Sequence, residues 1–506
     1  MRTATLLLLQ LAFVSHAWCA DTPPDFSALP EQQTPIADAT TERSDYNLGA
    51  TGMRGWIYGD STDDDGSREI LVRVVEKGSP ADGIFRKFEL VTGVDGKHFS
   101  ADARESLAAA LEAAEASGEL RLIRWRDGKE RNVTLKIEVL GTYADTAPFH
   151  CPKSRKLIDN GCSYITSTFV PESIHYDCDV PRNLNALLLL ATGEAGYLPQ
   201  LRRYARSMTA EMGKIRDWDQ AMETWTWYYG YKGLFLAEYY LRTGDRTVLP
   251  AIDNICRILA RGQGFPGAWS HSLARQAHLF PGYGAVNSTG MVCLTAMALA
   301  DKCGVEVNQK ALADAFAFFG SFAGKGAPPY GDHPPYPDNV ANGKSGGFAV
   351  ALTVLDAPKS ALWFSRLAAS ANARDLYGGH TGNFWNHLWT PIGASLAGRE
   401  SFINFYKQVR HNYALMRRWD HGYVTNPDYS KRECGCARRK YGGPTWGPGA
   451  FTLFLTAPDK RLQIFGAPES IFARGGCPPR LQEAMDLYRS FQYPRCLALL
   501  GKASLT

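Results

Sequence analysis

Two rhythms of apolar and polar residues divide this chain. From residue 46 to about 140, apolar residues come in short runs separated by Gly, Pro and Asp, which predicts strands. The runs are Trp56-Ile57-Tyr58, 70–75, 88–97, 120–126 and 132–139, with one amphipathic helix expected over 101–116. Asp127-Gly128, ahead of the last run, is a two-residue hairpin signal, because both residue types tolerate positive φ. From Pro181 onward the strand signals stop and a helical period takes over.

Two kinds of helix alternate in that second half. Segments 184–191, 231–241, 290–299, 347–355, 384–397 and 449–455 are apolar on most sides, which marks elements buried all round. Segments 198–208, 248–259, 311–319, 361–371 and 402–413 carry a single apolar stripe, as in Phe402, Phe405, Tyr406, Val409 and Tyr413. A buried helix followed by a covering one is a repeat unit. Five or six such hairpins in series predict an all-α (α/α) toroid. An open solenoid is the alternative, but its repeats are more regular in length than these. Residues 479–500 form a further helix pair by pattern, expected to cap the ring. The fold class expected is therefore multidomain. A small α+β domain at 46–140 precedes a toroid at 181–470 and a C-terminal hairpin at 471–506.

At 506 residues, 45% of them hydrophobic and 21% charged, the chain is long enough for several domains and apolar enough to fill their cores. A net charge of +4 with no basic-aromatic stripe gives no case for a nucleic-acid partner. Residues 1–20 have the basic start, apolar core and small-residue end of a secretory signal, and 21–45 read as a flexible tether. No other apolar run is long enough for a transmembrane helix, so the protein is expected to be secreted or periplasmic. Eleven cysteines agree with an oxidising compartment. Cys151, Cys162 and Cys178 fall in 141–180, expected as an irregular linker, and are pairing candidates; Cys256 and Cys293 lie on helices as small buried hydrophobes. Cys434-Gly435-Cys436 lacks a second Cys/His pair at zinc spacing, so no metal and no cofactor is expected.

The candidate chemistry sits in one class of loop. Connections from a covering helix to the next buried helix are long and polar, and all of them meet on one rim of a hairpin ring. They carry Trp269, His271, Tyr283 and Asn287, then Tyr330, Asp332, His333 and Asn342. Tyr377, His380 and Asn383 follow, and then Trp419, Asp420, His421 and Tyr423. Four times an aromatic residue precedes a histidine by two or three positions. The opposite connections, such as Thr243-Gly244-Asp245 and Ala357-Pro358, are short. Loops on a rigid scaffold concentrate function, and histidine exchanges protons near neutral pH. His380 and His333 are the candidate acid/base groups, with Asp332 or Asp420 to tune them. His271, Tyr283, Asn287, Tyr330, Asn383, Trp389, Trp419 and His421 are candidate substrate contacts. Against this stands the plainer alternative that loop histidines bond to backbone and helical tryptophans fill the core.

The first half resembles a PDZ domain. Gly78-Ser79-Pro80-Ala81, the following Gly83 and the turn Val94-Asp95-Gly96-Lys97 carry the likeness, which spans 46–140. It implies capture of a peptide or protein C-terminus at a sheet edge, with the carboxylate held in a glycine loop. The matching residues are Met53, Arg54, Gly55, Trp56 and Ile57, and the first two depart from the usual glycine-hydrophobic pattern. A PDZ-shaped spacer that binds no peptide is the alternative. The second half is similar in outline to the α/α barrels of glycoside hydrolases, polysaccharide lyases and prenyltransferase-like proteins. The order of the two halves, with Gly379-His380-Thr381-Gly382-Asn383, also resembles an exported bacterial family of unassigned function. Two functions are carried forward. One is a glycan-active protein whose rim binds a polysaccharide, acidic ones included, and cleaves it as a lyase or hydrolase. The other is a non-catalytic envelope adaptor that binds proteins.

Overall fold

The computed structural model describes residues 45–58, 67–168, 179–215, 225–275, 279–280, 284–335, 342–377, 383–426, 447–475, 482–489 and 492–502. An antiparallel sheet domain comes first and a helical domain follows. The strands are β1 Tyr46–Asn47, β2 Met53–Trp56, β3 Ile70–Val75, β4 Leu90–Val94, β5 Lys97–His98, β6 Glu119–Arg126 and β7 Lys129–Lys136. They pair in the order β1-β2-β3-β4-β6-β7, with β5 added on β4. Asp127 and Gly128 both take positive φ (51° and 72°), so the turn they make matches the twist of β6 and β7. Helix α1, Ala103–Ala114, starts where the Asp102 carboxylate accepts the Arg104 N–H at 2.8 Å, and it buries Leu107 and Leu111 against the sheet.

The helical domain is a succession of pairs. Its buried members are α3 Asp179–Thr192, α5 Thr226–Thr243, α7 Asn287–Lys302, α9 Asn342–Val354, α11 Asn383–Ser395 and α13 Gly447–Thr452. Each packs on the next and α13 returns to α3, so these six close a ring among the described residues. Covering helices α4 Leu198–Met212, α6 Leu249–Arg261, α8 Gln309–Gly320, α10 Pro358–Ala369 and α12 Arg399–Met416 lie outside them. The sixth covering position is filled by α2, Pro152–Thr168, which packs on α13 and α3. This segment was expected to be irregular. Its Leu157, Ile158, Cys162 and Ile165 are nevertheless spaced on one helical face and buried. Cys151 and Cys162 are both free, as are Cys256, Cys293, Cys303 and Cys496, and all six are buried; Cys178, Cys434 and Cys436 lie outside the described residues. No described helix is long and apolar enough to cross a membrane.

Local chemistry in the ring follows from sequence. Pro391 lies inside α11 and cannot donate to the carbonyl of His387 four residues earlier. The Tyr413 hydroxyl of α12 donates to that carbonyl at 2.8 Å instead. The group left over by one helix is thus a docking point for the next.

Glu238 is the one acidic residue in the apolar middle of α5 and is wholly buried. Its oxygens accept the N–H groups of Gln463 (3.0 Å) and Ile464 (2.9 Å). Burial pushes its carboxyl up from 4.5 to about 7, against the opposing pull of those two N–H donors. An acid with a raised folded pKa binds its proton more tightly when folded. Stability should therefore fall as pH rises between about 4.5 and 7, and stay lowered above that window. Urea unfolding at pH 5 and pH 8 should show this loss in the native chain and not in Glu238→Gln. Equal pH dependence in both would remove Glu238 as its source.

Candidate functional site

The buried helices all run the same way, so their N-termini gather at one end of the ring. Bonds there tie neighbours together. Thr226 and Thr289 share a hydroxyl contact of 3.0 Å, Gly343 N donates to Asn386 Oδ1 at 3.1 Å, and Gly449 N donates to Asn185 Oδ1 at 2.9 Å. Trp227 of α5 and Trp385 of α11 stack across this end with centroids 4.4 Å apart.

His271 and Tyr330 meet on this aromatic floor. His271 arrives on the connection from α6 to α7 and Tyr330 on that from α8 to α9. The Trp227 indole N–H donates to His271 Nδ1 at 3.0 Å, and His271 Nε2 lies 3.2 Å from the Tyr330 hydroxyl. Because Nδ1 accepts, the proton of the neutral ring sits on Nε2 and points at the Tyr330 oxygen. Trp225 stacks on the same imidazole at 5.4 Å and 12°. Asn287, fully buried, holds the Tyr330 loop: its amide donates to the carbonyls of Pro329 (3.0 Å) and Gly331 (2.8 Å), and its N–H donates to that of Tyr330. Asp332 and His333 follow on the same loop and are exposed. Asp332 stands beside Gly284, and His333 Nδ1 is 3.2 Å from the Pro334 carbonyl.

Other sequence candidates go elsewhere. Trp389 and Trp269 belong to the core, their indole N–H groups donating to the Tyr231 hydroxyl (3.0 Å) and the Leu259 carbonyl (2.9 Å). Asn383 is the first residue of α11. Tyr283 and His380 lie outside the described residues.

Trp419, Asp420 and His421 are drawn away from the His271–Tyr330 pair, to the junction with the sheet domain. The Trp419 indole donates to Glu76 Oε2 at 2.7 Å, and Arg418 bonds Glu76 at 2.9 and 3.1 Å and Asp420 at 3.0 and 2.7 Å. Burial alone would raise the Asp420 carboxyl, but Arg418 and the Gly422 N–H outweigh it and hold it below the usual range. His421 Nε2 lies 3.3 Å from Glu138. Next to it the buried Arg417 bonds Glu115 and approaches Glu138 at 3.6 Å, while Lys153 meets Glu115 at 2.6 Å. Leu415 of α12 enters the core of the sheet domain. The Asn47 amide donates to the carbonyls of Leu415 (2.6 Å) and Arg417 (3.2 Å).

Two of the residues matched to a peptide-binding edge are paired on both sides. Arg54 and Gly55 pair with Asn47 and Tyr46 of β1 on one side and with Val74 and Val72 of β3 on the other. Met53 and Ile57 are buried in the core and Trp56 is half-buried. A short return of the chain, Tyr46–Asn47, thus lies along that edge at Arg54 and Gly55.

Two groups escaped the sequence reading. Lys344, in the first turn of α9, is buried and has no ion pair among the described residues; burial pushes its amine down to about 8. The second is the Trp227 indole, the donor that orients His271. A lysine in the first turn of a helix that becomes apolar from Phe348 was the available signal for the first. Nothing local marked the second.

Residues 154–466 match a family model described as "Domain of unknown function (DUF6288)". The match begins inside α2 and ends just after the buried turn Gln463–Phe465, so it spans the ring. No curated protein and no solved structure matches the chain.

Proposed function

The chain belongs to the family of that domain, and we propose that it is a carbohydrate-active member whose ring end binds a polysaccharide and transfers a proton to it. The observation that carries this is the oriented pair His271–Tyr330 on an aromatic floor. With the imidazole proton directed at its oxygen and stabilising the phenolate, Tyr330 takes the proton from the carbon beside the uronate carboxyl and returns it to the leaving glycosidic oxygen, so that the C–O bond breaks as the C=C bond forms. Trp225 offers a flat wall to a sugar ring, and Lys344 at the same end favours an acidic polymer. Elimination is preferred to hydrolysis. Hydrolysis needs two carboxylates about the scissile bond, whereas among the described residues of the Tyr330 loop Asp332 is the carboxylate. The ring is read as an α/α toroid, and the chain as exported.

The sheet domain is read as PDZ-like and as a brace for the ring rather than a receptor for a free peptide. Supporting this, β1 lies along the edge of β2 at Arg54 and Gly55, and Leu415 fills the adjoining core.

The test is incubation of the full chain with neutral and acidic polysaccharides. Unsaturated uronate absorbance should appear with an acidic polymer, and should fall about 100-fold or more in His271→Gln and Tyr330→Phe. Trp227→Phe, which keeps the aromatic floor but removes the indole donor, should lose activity with little change in binding. New reducing ends without unsaturation would replace elimination by hydrolysis. No glycan bound or cleaved would overturn the proposal in favour of an adaptor.

A further inference from the structure

We infer that the cavity beneath the C-terminal hairpin is a binding site for an amphipathic anion, an acyl chain bearing a carboxylate or phosphate head. The hairpin is α14 Gln482–Arg489 and α15 Tyr493–Lys502. With the C-terminal end of α5 and the segment 460–472 it encloses about 450 Å³. Small-molecule sites typically run roughly 300–1,000 Å³.

The lining is divided by chemistry. Its buried part is mostly apolar: Leu241, Phe472, Ala484, Met485 and Cys496. At the floor Glu238 is turned to the Gln463 and Ile464 N–H groups, so its oxygens are already engaged. Arg242, Lys460 and Arg461 line the same cavity, with Lys460 exposed and the two arginines half-buried. Arg461 reaches Asp459 at 3.7 Å, while Arg242 and Lys460 have no ion pair among the described residues. Glu469 is the opposing charge at the opening. Three cations against one exposed carboxylate favour an anionic head there, and the apolar interior favours a hydrocarbon tail removed from water. Ile471, 54% exposed beside Phe472, extends the apolar surface outward. This site is at the end of the ring opposite His271 and is independent of the glycan reading.

The experiment is titration calorimetry of the full chain with dodecanoate, dodecyl phosphate and dodecanol. Saturable one-site binding of either anion, about tenfold or more tighter than dodecanol, is expected. The stronger of the two anions identifies the head. Lys460→Glu changes an exposed side chain and should weaken anion binding several-fold without altering thermal melting. Ala484→Trp, which fills the interior, should abolish it; should that variant not fold, Lys460→Glu carries the test. Dodecanol bound as tightly as the anions, no saturable binding, or affinity unchanged in a folded Ala484→Trp would each overturn the assignment. Because no glycan is present, such a failure leaves the rim proposal standing.

Discussion

Replacing Arg417 with alanine is expected to cost the full chain about 3–5 kcal/mol, because it strips a buried ion pair of one partner. Arg417 is 3% exposed and joins the two domains through Glu115, with Glu138 at 3.6 Å. Its removal leaves Glu115 buried with Lys153 as the remaining cation. The same junction holds the Asn47 amide bonds and the Leu415 side chain, so the loss is felt by both domains. Urea unfolding of Arg417→Ala should show a lower midpoint and a transition that separates into two steps. Glu115→Gln made in the same background should cost much less than it does alone, since coupled partners are not additive. A loss below about 1 kcal/mol would mean that the pair behaves like an exposed one.

A single methyl group on Gly346 should be nearly as damaging. Helices α9 and α11 meet there backbone to backbone. A Cβ on Gly346 would stand 2.0 Å from the Trp389 carbonyl oxygen, and one on Gly393 would stand 2.2 Å from the Gly346 Cα. Neither obstacle is a side chain that can swing aside. Interiors are close-packed, so the helices must separate or tilt, and overpacking of this kind costs about 1–3 kcal/mol, occasionally more. Gly346→Ala is placed at or above the top of that range. Because Trp385 and Trp389 ride on α11, the displacement should also disturb the stacked floor under His271. Thermal melting and the near-ultraviolet circular dichroism of the tryptophans would report both effects. A melting curve like that of the native chain would show that the ring accommodates the methyl group without strain.

Much of the architecture was written in local patterns. Apolar residues on nearly every side of a helix, as in 290–299 or 347–355, leave no face for water. Such segments must lie inside, and they do. The covering helices announce themselves through one stripe, and the Asp127-Gly128 turn through its backbone preferences. Helix α2 escaped because two of the residues it buries, Lys153 and Ser154, are polar. What makes the position of Lys153 tolerable is Glu115, thirty-eight residues earlier and on another domain.

The histidine loops show the same division. His271, His333 and His421 are set in similar aromatic-polar surroundings along the chain, yet their environments differ. The first is oriented by Trp227 and faces Tyr330, the second is exposed, and the third pairs with Glu138 at the domain junction. Apart from α2 and β1, the sequence by itself determined which segments are strands or helices and which helices are buried. These depend on neighbours a few residues away. Only the tertiary structure decided which histidine meets a tyrosine, that β1 lies along the edge of β2, and that Leu415 belongs to the core of the other domain. Those outcomes turn on side chains tens to hundreds of residues apart, and no local period records which of them will come within hydrogen-bond reach.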